Sequence, residues 1–370
     1  MPEITKIVIT GGPCAGKSTG LSRIEQELTD KGYKVFVVPE TATENITGGI
    51  RLPEVPVNDF QKAIFEVQLS KEKVYRDVAN VYSKLHNTPC VIVYDRGILD
   101  AKAFMKCSEY KLMCESYGLK ESELRDNYDA VIHLKTAADG AESFYTLANN
   151  VARSETPAQA REVDKKIIKA WTGHPHLRVI DNSTNFDGKI DRLMSEIFSI
   201  LGEPIPTEIE RKFLIEKPSL EELKDIYNLN KVSIIQTYLE SSVGVERRVR
   251  QRGIVGTYSY YYTEKRGEGI ERIETEKKIT KDEYLDYLME ADTSLKQIRK
   301  DRYCFVYDNS YIEMDIYPFW KDYAIVEVEL TNKEELVSLP PEIKVIKEVT
   351  EDKRFKNSSL AKNNSFDVLE

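Results

Sequence analysis

The pattern of hydrophobic positions changes near residue 200. In the first part, short apolar runs alternate with longer stretches of helical spacing, which predicts buried strands and helices in a parallel α/β sheet. The predicted strands are Lys6–Thr10, Val35–Val38, Val91–Tyr94, Val131–Leu134 and Arg178–Ile180. The predicted helices include Ser18–Lys31, Asn58–Leu85, Thr156–Trp171 and Leu193–Leu201.

After residue 207 the hydrophobic period changes to two, which is typical of strands with one buried face. We therefore expect an α+β domain built on an eight-stranded antiparallel β-barrel, with helices at Leu220–Tyr227 and Lys281–Ala291. The predicted strands are Ile209–Ile215, Val232–Glu240, Val245–Arg252, Tyr258–Lys265, Ile270–Ile279, Arg299–Tyr307, Tyr311–Tyr317 and Ala324–Leu330.

A segment rich in glycine and proline separates the two patterns. Residues 202–206 read Gly-Glu-Pro-Ile-Pro, and proline lacks the amide donor that a continuing helix needs. We therefore predict an α/β domain over residues 1–201, a linker over 202–207 and the antiparallel domain over 208–370. A chain of 370 residues agrees with two or three domains.

Composition narrows the class of protein. The net charge of −9 disfavours a protein that coats nucleic acid. No apolar run approaches the roughly 20 residues of a membrane-spanning helix, and the first residues do not resemble a secretory signal. Five cysteines without a CxxC pair disfavour a disulfide framework or a zinc site and favour a reducing compartment. We expect a cytoplasmic protein, or one peripheral to membranes, and the sequence does not fix its oligomeric state.

Residues 11–18 match the pattern GxxxxGK[ST] between a predicted strand and a predicted helix. Glycines let backbone amides face a phosphate, and the helix N-terminus adds partial positive charge. Lys17 is predicted to contact the β- and γ-phosphates as a catalytic residue, and Ser18 is predicted to hold Mg²⁺ or Mn²⁺. We expect ATP or GTP as the ligand. The predicted phosphate cradle is Gly11, Gly12, Pro13, Cys14, Ala15, Gly16, Lys17, Ser18 and Thr19.

Acidic and basic residues follow other predicted strands of this half. Asp95 ends a buried strand, where it would face the ligand crevice as a magnesium organiser or general base, and Arg96 could hold a phosphate. Glu40 follows another strand, and it could contact an acceptor or cap the next helix. Arg153 and Arg161 suit a lid that neutralises charge during phosphoryl transfer, although a solvated basic face explains them equally well.

These residues resemble the nucleotide-kinase-like P-loop family that includes the ribosylnicotinamide kinase domain. The resemblance covers residues 4–200 and implies phosphoryl transfer to a small acceptor. Neither Asn230 nor Asn332 begins an NKxD guanine-reading motif, which disfavours a Ras-like switch without excluding GTP.

Charged residues of one sign recur at every second position in the second half. Strand side chains alternate between faces, so these clusters share a face, whereas the residues between them are often apolar. A solvated charged face is one explanation, but it predicts mixed signs. Like charges this close are destabilising without a ligand, and carboxylates suit Mg²⁺ or Mn²⁺ while basic groups suit a polyphosphate. The clustered residues are Glu208, Glu210, Lys212, Arg248, Arg250, Arg272, Glu274, Glu276, Lys300, Arg302, Glu313, Asp315, Glu327 and Glu329.

The same residues resemble a CYTH domain, the fold of the triphosphate tunnel metalloenzymes, over residues 207–362. Residues 208–212 read Glu-Ile-Glu-Arg-Lys and match its ExExK signature, and residues 352–361 match its closing segment, with Phe355 where tyrosine is usual. The resemblance implies that a barrel encloses a triphosphate, with Glu208 and Glu210 also catalytic. The implied phosphate ligands are Lys212, Arg248, Arg250, Lys265, Arg272, Lys300, Arg302 and Arg354. The implied metal ligands are Glu208, Glu210, Glu274, Glu276, Glu313, Asp315, Glu327 and Glu329.

The fusion of both halves resembles the family of the TRPL translocation defect protein, which implies GTP binding, an acidic phospholipid such as phosphatidic acid, and membrane-protein trafficking. Two hypotheses follow. The chain is an enzyme that binds Mg-nucleotide and hydrolyses tripolyphosphate or a nucleoside triphosphate, or it is a GTP-dependent regulatory protein with little turnover. Cyclase chemistry on ATP is a third, weaker hypothesis. The sequence does not decide between adenine and guanine, nor does it show whether a phosphate acceptor exists or the domains are coupled.

Overall fold

The computed structural model describes residues 4–52, 54–142, 145, 156–202, 209–254, 256–266, 273–330, 337–366 and 368–369. The chain forms two compact units, Met1–Ile197 and Phe198–Glu370. Several predicted site residues fall outside the described part of the chain. These are Arg153, Glu208, Arg272 and the side chain of Glu274.

The first unit contains a parallel sheet of five strands, as the sequence predicts. Its order is β2-β3-β1-β4-β5, and its central strands are buried apolar runs such as Ile7–Ile9. The strands are β1 (Ile4–Gly11), β2 (Lys34–Val38), β3 (Cys90–Asp95), β4 (Ala130–Leu134) and β5 (Leu177–Ile180). The helices are α1 (Lys17–Asp30), α2 (Thr41–Thr47), α3 (Val57–His86), α4 (Cys107–Ser116), α5 (Glu121–Arg125), α6 (Pro157–Trp171) and α7 (Phe186–Leu201), with a 3-10 helix over Ile98–Phe104.

The second unit contains one antiparallel sheet of nine strands in the order β10-β9-β8-β7-β11-β12-β13-β6-β14. Its first strands are β6 (Ile209–Glu216), β7 (Asn230–Leu239), β8 (Val245–Ile254), β9 (Thr257–Arg266) and β10 (Ile273–Ile279). The others are β11 (Ile298–Tyr307), β12 (Ser310–Ile316), β13 (Tyr323–Leu330) and β14 (Val345–Glu348). Its helices are α8 (Leu220–Tyr227), α9 (Lys281–Tyr287) and α10 (Asn357–Lys362), with 3-10 helices over Leu288–Glu290 and Lys353–Phe355.

The predicted eight-stranded barrel is wrong for the described part of this unit. The sheet has a ninth strand, β14, and no pairing between its edge strands β10 and β14 is present among the described residues. The sequence reasoning missed β14 because this strand has only four residues, and its register with β6 shifts between Val345 and Lys347. A short strand that pairs irregularly on one side does not continue the ladder into a closed barrel.

The two faces of the nine-stranded sheet are packed differently. Helix α8 covers part of one face through Leu223, which packs with Phe305 and Val326 in an apolar cluster. On the opposite face, the C-terminal residues Phe355 and Leu360 pack on apolar side chains of the sheet. The rest of that opposite face carries the charged residues described below, and we call it the charged face.

Candidate functional site

The loop between β1 and α1 has the backbone that the predicted phosphate cradle requires. Gly16 immediately precedes α1 with φ of 89°, a conformation that favours glycine. Gly11 has φ of 151°, and a Cβ atom there would lie 2.1 Å from the carbonyl oxygen of Leu134. Pro13 and Ala15 are buried and Cys14 is half-buried, while Ser18 and Thr19 are exposed in the first turn of α1. The loop therefore ends at the N-terminus of a 14-residue helix, where backbone amides can bind an anion.

Lys17 and Asp95 meet beside this loop. Lys17 is only 6% exposed, and its Nζ lies 4.0 Å from Oδ1 of Asp95. That carboxylate oxygen is buried and has no hydrogen-bond partner among the described residues. Burial raises the pKa of Asp95 and outweighs the opposite effect of Lys17. The pair thus places an ammonium group and a carboxylate together at the carboxyl end of the central strands, and the roles predicted for them stay predictions.

Arg96 binds two carboxylates through its guanidinium. It pairs with Glu40 and lies 3.4 Å from Oδ2 of Asp100. Burial alone would raise the pKa of Glu40, but the charges of Arg96 and Lys17 outweigh it and lower this pKa to about 2. Glu40 therefore pairs with Arg96 rather than capping α2, although it precedes that helix. In this structure the guanidinium of Arg96 is bound to carboxylates.

Asp164 is a buried carboxylate that hydrogen-bonds to the phosphate loop, and the sequence analysis did not predict it. Oδ1 of Asp164, on α6, accepts hydrogen bonds from the amides of Gly12 at 2.8 Å and Thr136 at 3.1 Å. It also lies 3.0 Å from Nε2 of His133. Burial would raise the pKa of Asp164, but His133 and these hydrogen bonds lower it. The available signal was an acid at a buried position of the predicted helix, together with Ala160, Ile167 and Trp171.

Of the two predicted lid arginines, the structure describes Arg161. Its Nη1 donates a hydrogen bond to the carbonyl oxygen of Ala138 at 2.7 Å, and the residue is half-buried. Arg161 and Asp164 lie on the same helix, so α6 contacts the region around the phosphate loop through both residues. A role for Arg153 stays a prediction.

The strand registers place the predicted charges of the second unit on its charged face. Arg302 is the cross-strand partner of Asp315, and Glu327 faces both Glu313 and Lys212. Arg252, which was not among the predicted ligands, is 2% exposed and belongs to the same row of β8 as two predicted ones. The described predicted residues of this face are Glu210, Lys212, Arg248, Arg250, Lys265, Glu276, Lys300, Arg302, Glu313, Asp315, Glu327 and Glu329.

Arg302 is the centre of a buried ion network. Its Nε lies 2.7 Å from Oδ1 of Asp315, and its Nη2 lies 2.7 Å from Oδ2 of the same residue. Nη2 also lies 2.5 Å from Oε2 of Glu327, and Nη1 binds Glu313. Lys300 pairs with the same Asp315, and the two side chains are 3% and 0% exposed. A solvated charged face, one explanation of the sequence pattern, therefore does not describe this part of the sheet.

Lys212 extends the network towards the start of β6. Its Nζ lies 2.9 Å from Oε1 of Glu327 and 3.1 Å from Oε1 of Glu210. Burial would raise the pKa of Glu327, but Lys212, Lys300 and Arg302 hold it well below its usual range. Burial and the charge of Arg302 lower the pKa of Lys300. The network joins three basic groups to four carboxylates, as the described contacts show.

The remaining predicted ligands lie farther along the charged face or away from it. On the far strands, Arg250 pairs with Glu276, which also accepts a hydrogen bond from Thr263 at 3.0 Å. Arg354 pairs with Asp352 at 2.7 Å and lies over the rings of Phe355 and Phe366.

The carboxylates of the charged face are hard oxygen donors of the kind that Mg²⁺ and Mn²⁺ prefer. In the described part of the chain, however, no group of three or more His, Cys, Asp or Glu residues is arranged to hold a metal ion. Glu210 and Glu329 are direct cross-strand partners. Glu208, which completes the ExExK signature beside them, lies outside the described residues. Binding of a metal by these residues stays a prediction.

None of the described helices combines the length and the apolar composition that crossing a membrane requires. The predicted acidic phospholipid and the trafficking role rest on the family resemblance alone, and they stay predictions.

Comparison with known proteins assigns the two units separately. The first unit matches the AAA domain family over residues 6–189. The inorganic triphosphatase of Nitrosomonas europaea is 33% identical over 159 residues, which are 42% of this chain and 97% of that protein. A crystal structure of an inorganic triphosphatase is 29% identical, with a TM-score of 0.31, and the match covers 42% of this chain and 95% of that one. A structure from Pyrococcus horikoshii OT3 is 17% identical, with a TM-score of 0.28 and coverages of 34% and 80%. The N-terminal region therefore matches the AAA domain family, and through its C-terminal region the chain belongs to the family of the inorganic triphosphatase.

Proposed function

We propose that the charged face binds and hydrolyses a triphosphate with the help of a divalent metal ion, and that the phosphate loop binds Mg-ATP or Mg-GTP. The observation that carries the first part is the buried network around Arg302. A sheet face needs no such network for stability, because buried ions lose hydration that their attraction only partly restores. We infer that these groups are retained to bind a ligand of high charge.

The network has the composition that a triphosphate site needs. Lys212, Lys300 and Arg302 can exchange their present carboxylate partners for phosphate oxygens, because Arg and Lys bind both groups with similar geometry. Arg248 and Arg250 extend the basic surface along β8. A linear triphosphate could therefore contact basic groups from several strands at once.

The carboxylates would act on the metal and on the water. Glu210 and Glu329 are cross-strand neighbours on β6 and β13, and Glu208 stands two residues before Glu210 in the sequence. Two opposed carboxylates repel each other, so a divalent cation between them would be favoured. Such an ion supplies charge neutralisation and an activated water when bound. The protein side chains hold the phosphate chain in place and orient the carboxylates that accept the proton.

The phosphate loop supports a second, separate nucleotide site. Lys17 and the amides at the N-terminus of α1 would bind the β- and γ-phosphates, and Ser18 would hold magnesium. Asp95 has a buried, unbonded carboxylate oxygen within 4.0 Å of Lys17, which suits a magnesium organiser or a base for an acceptor hydroxyl. The similarity to the inorganic triphosphatase is confined to the C-terminal region, so the function of the first unit is proposed separately.

The experiment that tests both parts is phosphate release from tripolyphosphate, ATP and GTP with Mg²⁺ or Mn²⁺. We expect Lys212→Ala to reduce tripolyphosphate hydrolysis about 100-fold or more, because it removes a charge-assisted contact inside the site. The matched control is Arg211→Ala, since Arg211 is the neighbouring cation on the opposite face and pairs with Glu348. Lys17→Ala should leave tripolyphosphate hydrolysis unchanged and abolish nucleotide binding measured by calorimetry. Equal activity in wild type and Lys212→Ala would disprove the triphosphatase site.

A further inference from the structure

The C-terminal half of helix α3 exposes most of its aliphatic side chains. Its buried residues there are Glu72, Ala79 and Ser83, and the half-buried Tyr82 packs against Phe36. The outward face instead carries four exposed aliphatic residues, which are 49% to 74% exposed. We call them the apolar stripe: Val74, Val78, Val81 and Leu85. A helix on the surface of a monomeric domain normally places its apolar residues against the core, so this face resembles one that is covered.

The spacing of the apolar stripe is that of a helix–helix seam. Its members are separated by four, three and four residues, which is the a/d pattern of a heptad. The same register continues backwards to Phe60, which is buried, and to the half-buried Ile64 and Val67. Between the two parts stands Lys71, whose Nζ donates to the carbonyl oxygen of Pro39 at 3.0 Å. The seam therefore packs within the unit at its start and faces outward over its last three turns.

We propose that the apolar stripe docks on the apolar stripe of a second copy of this chain, with the two helices antiparallel. In that arrangement Val78 faces Val81 of the second copy, and Val74 faces Leu85 of the second copy. The seam is complementary to itself, because the twofold axis between the helices repeats each contact: Val78 with Val81 and Val74 with Leu85 occur once in each direction. Every exposed member of the stripe is then covered.

Flanking charges favour the antiparallel direction. Asp77 and Lys84 occupy the positions beside the seam that meet across an antiparallel pair, so each Asp77 lies opposite a Lys84 of the second copy. Two such pairs form per dimer. In a parallel pair the residue opposite Asp77 would be Tyr82 of the second copy, and the charge complementarity would be lost. Asp77 and Lys84 are both exposed, and Asp77 also lies 3.5 Å from Lys73 and 3.4 Å from Arg76 on its own helix, where it remains accessible to a second cation.

The exposed seam is short, which sets the expected strength of the contact. From Val74 to Leu85 it extends about 16 Å at about 1.5 Å per residue. Stable interfaces bury about 800 Å² per partner, so an apolar stripe of this length should give a weak dimer with a dissociation constant in roughly the micromolar range.

The test is sedimentation velocity of the full chain from about 1 to about 200 µM. We expect a concentration-dependent monomer–dimer equilibrium in wild type. The double variant Val78→Glu with Val81→Glu should stay monomeric throughout that range. The matched control is Leu112→Glu, because Leu112 is an exposed leucine on α4 outside the stripe, and it should dimerise like wild type. A monomeric wild type, or a dimer that survives the double variant, would overturn the proposal.

Charge exchange tests the direction of the helices and does not depend on the folding of the apolar variants. Asp77→Lys and Lys84→Asp should each weaken dimerisation about tenfold, because each places like charges opposite one another. The combined variant should restore the wild-type constant. Two single variants that weaken the dimer without recovery in the combined variant would overturn the antiparallel register.

Discussion

The two proposed phosphate sites would bind their ligands by different physical means. In the first unit, the anion would bind to backbone amides at the start of α1, and Lys17 adds a buried positive charge beside them. In the second unit, the buried Lys300 and Arg302 and the half-buried Lys212 are paired with carboxylates on the charged face. Backbone amides need no counter-charge when the ligand is absent, whereas buried side-chain cations do. The comparison teaches that a site made of side chains depends on its own acidic partners for stability.

The sharpest test of this difference is to remove the cation at the centre of the charged face. Arg302→Leu leaves Asp315, Glu313 and Glu327 without their shared guanidinium, so we expect a loss of about 3–5 kcal/mol in the free energy of unfolding. Arg299→Leu is the control, because Arg299 is an exposed arginine of the same strand. Calorimetric unfolding measures the effect. A loss no larger than that of the control would show that the network is not needed for stability without ligand.

The next test concerns the acid paired with Arg96 in the first unit. The folded pKa of Glu40, about 2, lies below its ordinary value of 4.5, so the ionised carboxylate stabilises the fold above pH 4.5. That contribution, on the order of 3 kcal/mol, should be lost as pH falls from about 4.5 towards about 2. The free energy of unfolding measured with urea should therefore be larger for wild type than for Glu40→Gln at pH 7. The two values should converge at low pH.

The control for this pH profile is Glu25→Gln, an exposed carboxylate of α1. If the free energies of unfolding of wild type and Glu40→Gln differed by the same amount from pH 7 to pH 3, the ion pair of Glu40 with Arg96 would be contradicted.

The smallest expected effect is at Asp164. Asp164→Ala leaves the buried amides of Gly12 and Thr136 without an acceptor, which should cost about 1–3 kcal/mol of stability and weaken nucleotide binding. Asp164→Asn keeps one acceptor oxygen, so it should recover most of the stability and most of the nucleotide binding. Unfolding and nucleotide titration measure the two effects. Identical behaviour of the alanine and asparagine variants would show that the hydrogen bonds do not position the loop.

The sequence predicted local features better than long-range ones. The phosphate loop and the five parallel strands were predictable because the loop motif is contiguous and each buried strand is an apolar run. The charged face was predictable because strand alternation alone decides which residues share a face. Asp164 was missed because its partners Gly12 and Thr136 are distant in sequence. The pairing of Arg302 with three carboxylates depends on strand register, which no single strand encodes.

The extent of the antiparallel sheet was the other failure. Closure into a barrel depends on how edge strands pair, and β14 with its shifted register gives no alternating signal. Helices α8 and α9 were predicted within a few residues, and the capping residues Ser219 and Thr280 begin them, whereas α10 was not predicted.

The same short edge strand has a consequence for solubility. An open sheet exposes unpaired amides and carbonyls at its edges, and long flat edges invite strands of other molecules. β14 ends one edge after four residues with an irregular register, and the other edge, β10, carries Lys277 and Lys278. A chain shortened before residue 345 would expose the full length of β6, with Phe213 and Ile215, as a template for intermolecular pairing. We expect such a truncation to aggregate during expression, with fibrillar β-structure detectable by dye binding.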